Sequence, residues 1–366
     1  MKKNYLFFIF ILSSFFGIGQ NCPNDLKTYY SSATGVGYIL KTQLYNIIKG
    51  HTVISYTPGL WNLYYTSDVN SDGKVWDIYS NCNFVFGAPL LTGGNQDDGK
   101  GGKVECERYN REHTFPKSWF GGSSGMPMYT DAFHVMPTDK KDNGMRGSIP
   151  YGIVGNNPTY VTNNNSKIGI CTAPNTPTNL TVFEPADQYK GDIARNYFYM
   201  ATRYENTVAN YSSYEMFNRT SNQVFAKPFL DMLLKWHAQD PVSAREIARN
   251  NAIYARQGNR NPFIDNPNYV NLIWSAQCQA LSNAEFQLQT NISLYPNPSN
   301  GELIKINSEI ELDEIQVYNI NGQLIQKDKN PIKKGESYDL VGLSRGFYLV
   351  KLTSGTQSVT KKIIVQ

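Results

Sequence analysis

An α+β fold in two folded parts is what the sequence predicts, and three observations predict it. Residues 109–152 read as a strand bearing His113, a glycine-rich link, a second strand near His134, and a polar turn or short helix. After Phe183 the apolar residues recur at helical spacing. After Ala280 the composition breaks into short alternating apolar runs separated by turn residues. The expectation is a strand, strand, helix core embedded in a mainly helical domain, followed by a small all-β sandwich. Its expected limits are a leader over residues 1–19, a first domain over 20–280, a linker over 281–290 and a sandwich over 291–366.

In chain order, Lys2 and Lys3 precede an apolar run from Leu6 to Phe16, which closes on Gly17 and Gly19. That is the pattern of a secretory signal peptide cleaved before Gln20. The run is short for a bilayer span and no later segment is longer, so no stable membrane insertion is expected. Export makes disulfides reasonable for Cys22, Cys82, Cys106, Cys171 and Cys278, and the odd count leaves a thiol over. Cys82 with Cys106 is the expected pair, closing the glycine-rich loop 93–102.

Residues 37–49 carry apolar side chains at helical spacing. Asp68 to Asp77 imitates the start of a calcium loop, but Tyr79 stands where the closing carboxylate belongs, so a turn is expected. Residues 93–102, 121–125 and 156–179 read as loops. Helices are expected over 183–204, 228–237 and 241–256, the last with Asp240 as N-cap and Pro241 in its first position. Asp192 and Arg195 are expected to form ion pairs that lock the first of these helices. His51 and His237 are expected at the surface or at helix caps. The segment 257–267, rich in Asn and Arg, is expected to brace the site by hydrogen bonds.

The net charge is +4, yet basic and acidic residues nearly balance between Gln20 and Thr290. A nucleic-acid partner would therefore have to be met by a local basic patch.

Within residues 109–152, Glu112, His113, Asn143 and Arg146 are the chemistry-bearing residues. A carboxylate and an amide oxygen suit a hard cation such as Mg2+, leaving positions for water and phosphate. An imidazole beside that cation can take a proton from water. A guanidinium can hold phosphate oxygens through paired hydrogen bonds. The set points to one-metal phosphodiester hydrolysis.

At these positions the chain resembles the bacterial endonuclease I family of the ββα-metal, or His-Me finger, group. Asn110, Glu112, His113, Pro116 and Ser118 match its first segment, and Asp131, His134 and Pro137 its second. Asn143, Arg146, Gly147, Pro150, Tyr151 and Gly152 match the third. The resemblance implies a ββα-metal nuclease core in which Glu112 and Asn143 ligate Mg2+, with Mn2+ or Ca2+ as substitutes. It implies His113 as general base and Arg146 as a phosphate contact. Asn110, Lys117, Asp131 and His134 are expected to support these groups or touch substrate. The implied substrate is DNA, and RNA as a second candidate, cut to 5′-phosphate and 3′-hydroxyl ends by a monomer. Phe133 departs from the family's histidine. Lys117 is the one basic residue between Thr114 and Thr130, an interval where some relatives carry an arginine. Two other readings stand beside this one: a transition-metal hydrolase with Glu112, His113 and His134 as ligands, and a non-catalytic surface-binding protein.

The segments YPNPSNG, VYNINGQL, GFYLVKL and KKIIV resemble the C-terminal sorting domain of type IX secretion. That implies passage through the periplasm, contact with the secretion machinery, and release or attachment at the cell surface.

Overall fold

The computed structural model describes residues 26–87, 93–211, 214–275, 292–355 and 357–366. The expected leader, the linker, Cys22 and Cys278 lie outside these residues. Two compact units emerge. One comprises the described residues of Ile48–Tyr197 and Gln239–Asp265 with 26–29; the other comprises the described residues of Tyr30–Ile47, Phe198–Ala238 and Asn266–Gln366.

In the first unit, β1 (Tyr109–His113) pairs antiparallel with β2 (Val135–Asp139), with Glu112 opposite Met136 and His113 opposite Val135. β2 runs straight into the helix Lys140–Arg146. Asp139 ends the strand and caps the helix, its carboxylate accepting from Lys141 N at 2.8 Å and Asp142 N at 3.1 Å. A carboxylate there satisfies backbone donors that the first turn leaves without partners. The helix stops at Gly147, whose φ of 53° suits a residue without Cβ.

Residues 156–179 are more ordered than expected. β3 (Tyr160–Val161), β4 (Lys167–Ile170) and β5 (Thr181–Glu184) form an antiparallel sheet in that order. β5 takes Phe183 and Glu184, so the next helix starts later than its composition suggests, at Lys190, and runs to Arg203. That helix is buried on its polar face as well as its apolar one: Ile193, Ala194, Tyr197 and Phe198 have no exposure, and Asp192, Arg195 and Asn196 are buried opposite them. Arg195 is locked by Glu246, Nε to Oε1 at 2.5 Å and Nη2 to Oε2 at 2.8 Å, with Asp192 at 3.9 Å.

The helix expected from Pro241 instead spans Ala244–Gln257. Ser243 and Glu246 form a reciprocal capping box that outcompetes the Asp-Pro signal. Asp240 accepts from Gly191 N at 2.8 Å instead. The Asp68 segment is a turn: Asp68 is buried on Arg249, Oδ1 to Nε at 2.8 Å, and Val69 bridges Val75. Cys82 and Cys106 are disulfide-bonded, and Cys171 has no disulfide partner among the described residues.

In the second unit, the helices Gly37–Ile48 (through Ile47) and Lys227–Gln239 (through Ala238) form close to their expected limits. His237 is buried, not at the surface, and its Nε2 donates to the Pro267 carbonyl at 3.1 Å. The C-terminal strands are β6 (Ile292–Tyr295), β7 (Ile304–Ser308), β8 (Glu314–Asn319), β9 (Leu324–Lys329), β10 (Ser337–Leu340), β11 (Gly346–Ser354) and β12 (Gln357–Val365). They make two antiparallel sheets, ordered β10-β7-β6 and β12-β11-β8-β9. Ile304, Ile306 and Leu340 of one sheet share a core with Val317, Val350 and Ile363 of the other. This is the expected sandwich. Among the described residues no helix is long and apolar enough to cross a membrane.

Candidate active site

The strand, strand, helix finger opens on a pocket of about 430 Å3, lined by Tyr56, Asn110, Arg111, Glu112, His113, Lys117 and Asn143, among others. Alternation along β1 directs Asn110 and Glu112 to one side and Arg111 and His113 to the other. Asn110 and Glu112 meet the helix that follows β2, whose Asn143 and Arg146 lie one turn apart.

Glu112 is almost wholly buried. Its Oε1 accepts from the Tyr79 hydroxyl at 2.8 Å and from Arg146 Nη1. Oε2 has no hydrogen bond among the described residues. Asn143 gives the same pattern. Its Nδ2 donates to Asn110 Oδ1 at 2.8 Å and to the Arg111 carbonyl at 3.3 Å. A carbonyl can only accept, so the amide orientation is settled and Oδ1 is the atom left over. Two oxygens without partners, one anionic and one neutral, belong to residues lining one pocket. That donor set fits a hard divalent cation completed by water and phosphate.

His113 is 6 % exposed. Its Nε2 lies 2.9 Å from the Tyr129 carbonyl and must be the protonated nitrogen. Nδ1 is then a bare acceptor. The ring stacks on Tyr56 with centroids 6.2 Å apart and planes 22° apart. Burial, reinforced by neighbouring His134, lowers its pKa to about 3, so the imidazole is neutral at working pH.

His134 has no exposure and does not line the pocket. Its Nε2 donates to the Met128 carbonyl at 2.6 Å, and its ring lies 5.5 Å from that of His113. Both Nε2 atoms are thus spent on backbone, and His134 Nδ1 is buried without a partner. Among the described residues no three His, Cys, Asp or Glu side chains converge on a metal position. The arrangement with Glu112, His113 and His134 as joint ligands of a transition metal is not what the chain builds. Asp131 is buried as well, its Oδ1 accepting from Phe133 N and Gln257 Nε2, each at 3.1 Å. Gln257 also accepts from Ala132 N at 2.7 Å, so the 257–267 segment braces the second strand's approach. Phe133 is buried and does not line the pocket. Lys117 is exposed at the pocket rim, 5.8 Å from the Tyr129 ring centre.

Arg146 departs from its expected role. It is fully buried, and its guanidinium is committed to Glu112, to the carbonyls of His113 (3.0 Å), Thr114 (2.9 Å) and Ile149 (3.1 Å), and to the face of Tyr151. Burial opposes its charge, but Tyr151, Tyr79 and Glu112 more than restore it. Arg146 holds Glu112 in place and does not line the pocket. The guanidinium that does line the pocket belongs to Arg111, which sequence reasoning passed over. Tyr79 was missed too: the residue that disqualifies a calcium loop is a hydrogen-bond donor to Glu112. Tyr56, 57 residues upstream of His113, carries no local signal at all.

An imidazole with a bare nitrogen, beside two unpartnered oxygens and a cationic rim, suits a hydrolase acting on an anionic polymer. The comparisons with known proteins agree. The Endonuclease I family matches residues 36–268, and the secretion system C-terminal sorting domain matches residues 293–366. The chain is 36% identical over 259 residues to the extracellular ribonuclease of Bacillus subtilis, covering 68% of this chain and 79% of the relative. It is equally similar, at 36% over 262 residues, to the extracellular ribonuclease of Bacillus amyloliquefaciens, with the same coverage. Endonuclease-1 of Buchnera aphidicola is 26% identical over 135 residues, 37% of this chain and 44% of that protein. The chain belongs to the endonuclease I family: it is a secreted nuclease with a C-terminal sorting domain.

Proposed function

We propose that the chain is an endonuclease that hydrolyses backbone phosphodiesters of DNA and RNA, largely without regard to sequence, leaving 5′-phosphate and 3′-hydroxyl ends. It acts as a monomer with one Mg2+ held by Glu112 and Asn143. RNA stands beside DNA because the Bacillus relatives are named ribonucleases. The observation that carries the reading is the convergence on one pocket of Glu112 and Asn143, each with an oxygen that bonds to nothing else, and of the His113 imidazole.

Mg2+ would supply Lewis acidity at the scissile phosphate and offset charge on the leaving 3′ oxygen. His113 accepts a proton from water at Nδ1 while its Nε2–H stays on the Tyr129 carbonyl, which keeps the ring from turning. An arriving phosphate places negative charge beside the ring and raises its basicity just when a base is needed. Arg146 and Tyr79 hold Glu112, and Asn110 holds Asn143.

A plasmid-nicking assay tests this with Mg2+, with EDTA, and with His113→Ala. Expected is nicking that needs the cation and falls at least about 100-fold in the variant. End-group analysis then reads the broken bond. A folded wild type that leaves both DNA and RNA intact under Mg2+, Mn2+ and Ca2+ would sink the reading.

A further inference from the structure

We propose that Arg111 is the residue that grips a backbone phosphate of the substrate in this pocket, with Tyr56 and Trp61 positioning it. The inference rests on the nuclease reading above and adds to it a binding residue.

Arg111 sits on β1 directly before Glu112 and lines the same pocket as Glu112, His113 and Lys117. Its guanidinium carbon lies 3.5 Å from the Tyr56 ring centre and 4.2 Å from that of Trp61. A flat cation between two aromatic faces has lost most of its freedom before any ligand arrives. Nη1 is fixed further by the Tyr56 carbonyl and by Thr57 Oγ1 at 2.8 Å. Nε and Nη2 have no hydrogen bond, and no carboxylate lies within ion-pair distance among the described residues.

Other arginines of this unit show what a structural guanidinium looks like here. Arg146, Arg195, Arg249 and Arg260 are buried, and each is paired with a carboxylate. Arg111 alone of these five is only partly buried, lines the pocket and has no anion. A planar cation held rigid with two donors unspent matches a tetrahedral oxyanion such as phosphate. With Lys117 it makes the local basic patch that a nearly neutral domain needs in order to bind a polyanion.

The test uses His113→Ala protein, so that binding is read without cleavage, and a labelled DNA duplex titrated in Ca2+ between about 50 and 200 mM salt. Arg111→Met should weaken binding about tenfold and reduce the slope of log affinity against log salt by about one, the loss of one phosphate contact. Arg111→Lys keeps the charge but not the fork, so the slope should hold while affinity falls by less. In the active background Arg111→Met should raise KM more than it lowers kcat. If Arg111→Met folds and neither slope nor KM moves, the assignment is overturned. If it does not fold, a Lys variant with unchanged affinity overturns it equally. Should the wild type cleave normally while both variants match it, Arg111 alone is wrong; should the wild type neither bind nor cleave nucleic acid, the nuclease reading falls and takes Arg111 with it.

Discussion

Arg146 and Arg111 are both guanidiniums within the finger, and burial gives them opposite work. Arg146 lies under the site with no exposure and compensates Glu112. Removing it leaves the Glu112 carboxylate buried with the Tyr79 hydroxyl but no cation, a change that costs about 3–5 kcal/mol in comparable pairs. Arg146→Met should therefore lower the melting temperature sharply and abolish cation binding together with activity. A direct phosphate contact would instead leave the melting temperature nearly unchanged, so a thermal melt separates the two roles. His134 makes a second prediction at this scale. Burial holds its pKa near 4, so the folded state resists a proton that the unfolded chain accepts near 6.5. Its contribution is present above about pH 6.5 and is lost as pH falls through about 4, for a total on the order of 3 kcal/mol. Denaturation curves at pH 7, 5.5 and 4.5 should show an acid loss, and His134→Gln should lessen it, leaving the share that the depressed pKa of His113 contributes.

At the level of elements, the helix Lys140–Arg146 is the part that can be displaced. It is seven residues long and cannot hold itself together in water without its cap and its packing. Asp139 supplies the cap through Oδ1, and Oδ2 accepts from Cys106 N at 2.7 Å, tying the helix start to the disulfide-closed loop. Asp139→Ala should cost about 1–2 kcal/mol of stability from the cap. Because Asn143 rides on this helix, the same variant should weaken Mg2+ binding several-fold, measurable by titration calorimetry, while His113 on β1 stays in place. Elements were legible in the sequence where one signal dominated. The helix Gly37–Ile48 has a single clean periodicity. Where two signals competed, local reading failed: Asp240-Pro241 resembles a helix start, but the Ser243–Glu246 capping box satisfies two backbone groups and wins. Phe183 looks like the first residue of a buried helix, yet cross-strand pairing with Ile168 takes it into a sheet.

Across the whole molecule, the nuclease segment and the sandwich obey different rules. The sandwich has an alternating pattern in nearly every strand, because one face of each sheet meets a shared core and the other meets solvent. A sorting role predicts that the exported protein is shorter than its gene product. Intact mass of the secreted form should match residues 20–290, and recovery of a chain that keeps residues 291–366 outside the cell would count against processing. The sequence by itself determined the class of protein, the α+β fold and the grouping of Glu112, His113 and Asn143 at one site, because those residues fall within a short, dense stretch. Tertiary structure decided which groups are free to act. Whether a guanidinium meets substrate or pins a carboxylate depends on burial and on partners brought from far along the chain. Tyr79 reaches Glu112 across 33 residues, and Tyr56 reaches Arg111 across 55. No local pattern encodes such pairings; only the packed chain brings their atoms within hydrogen-bond range.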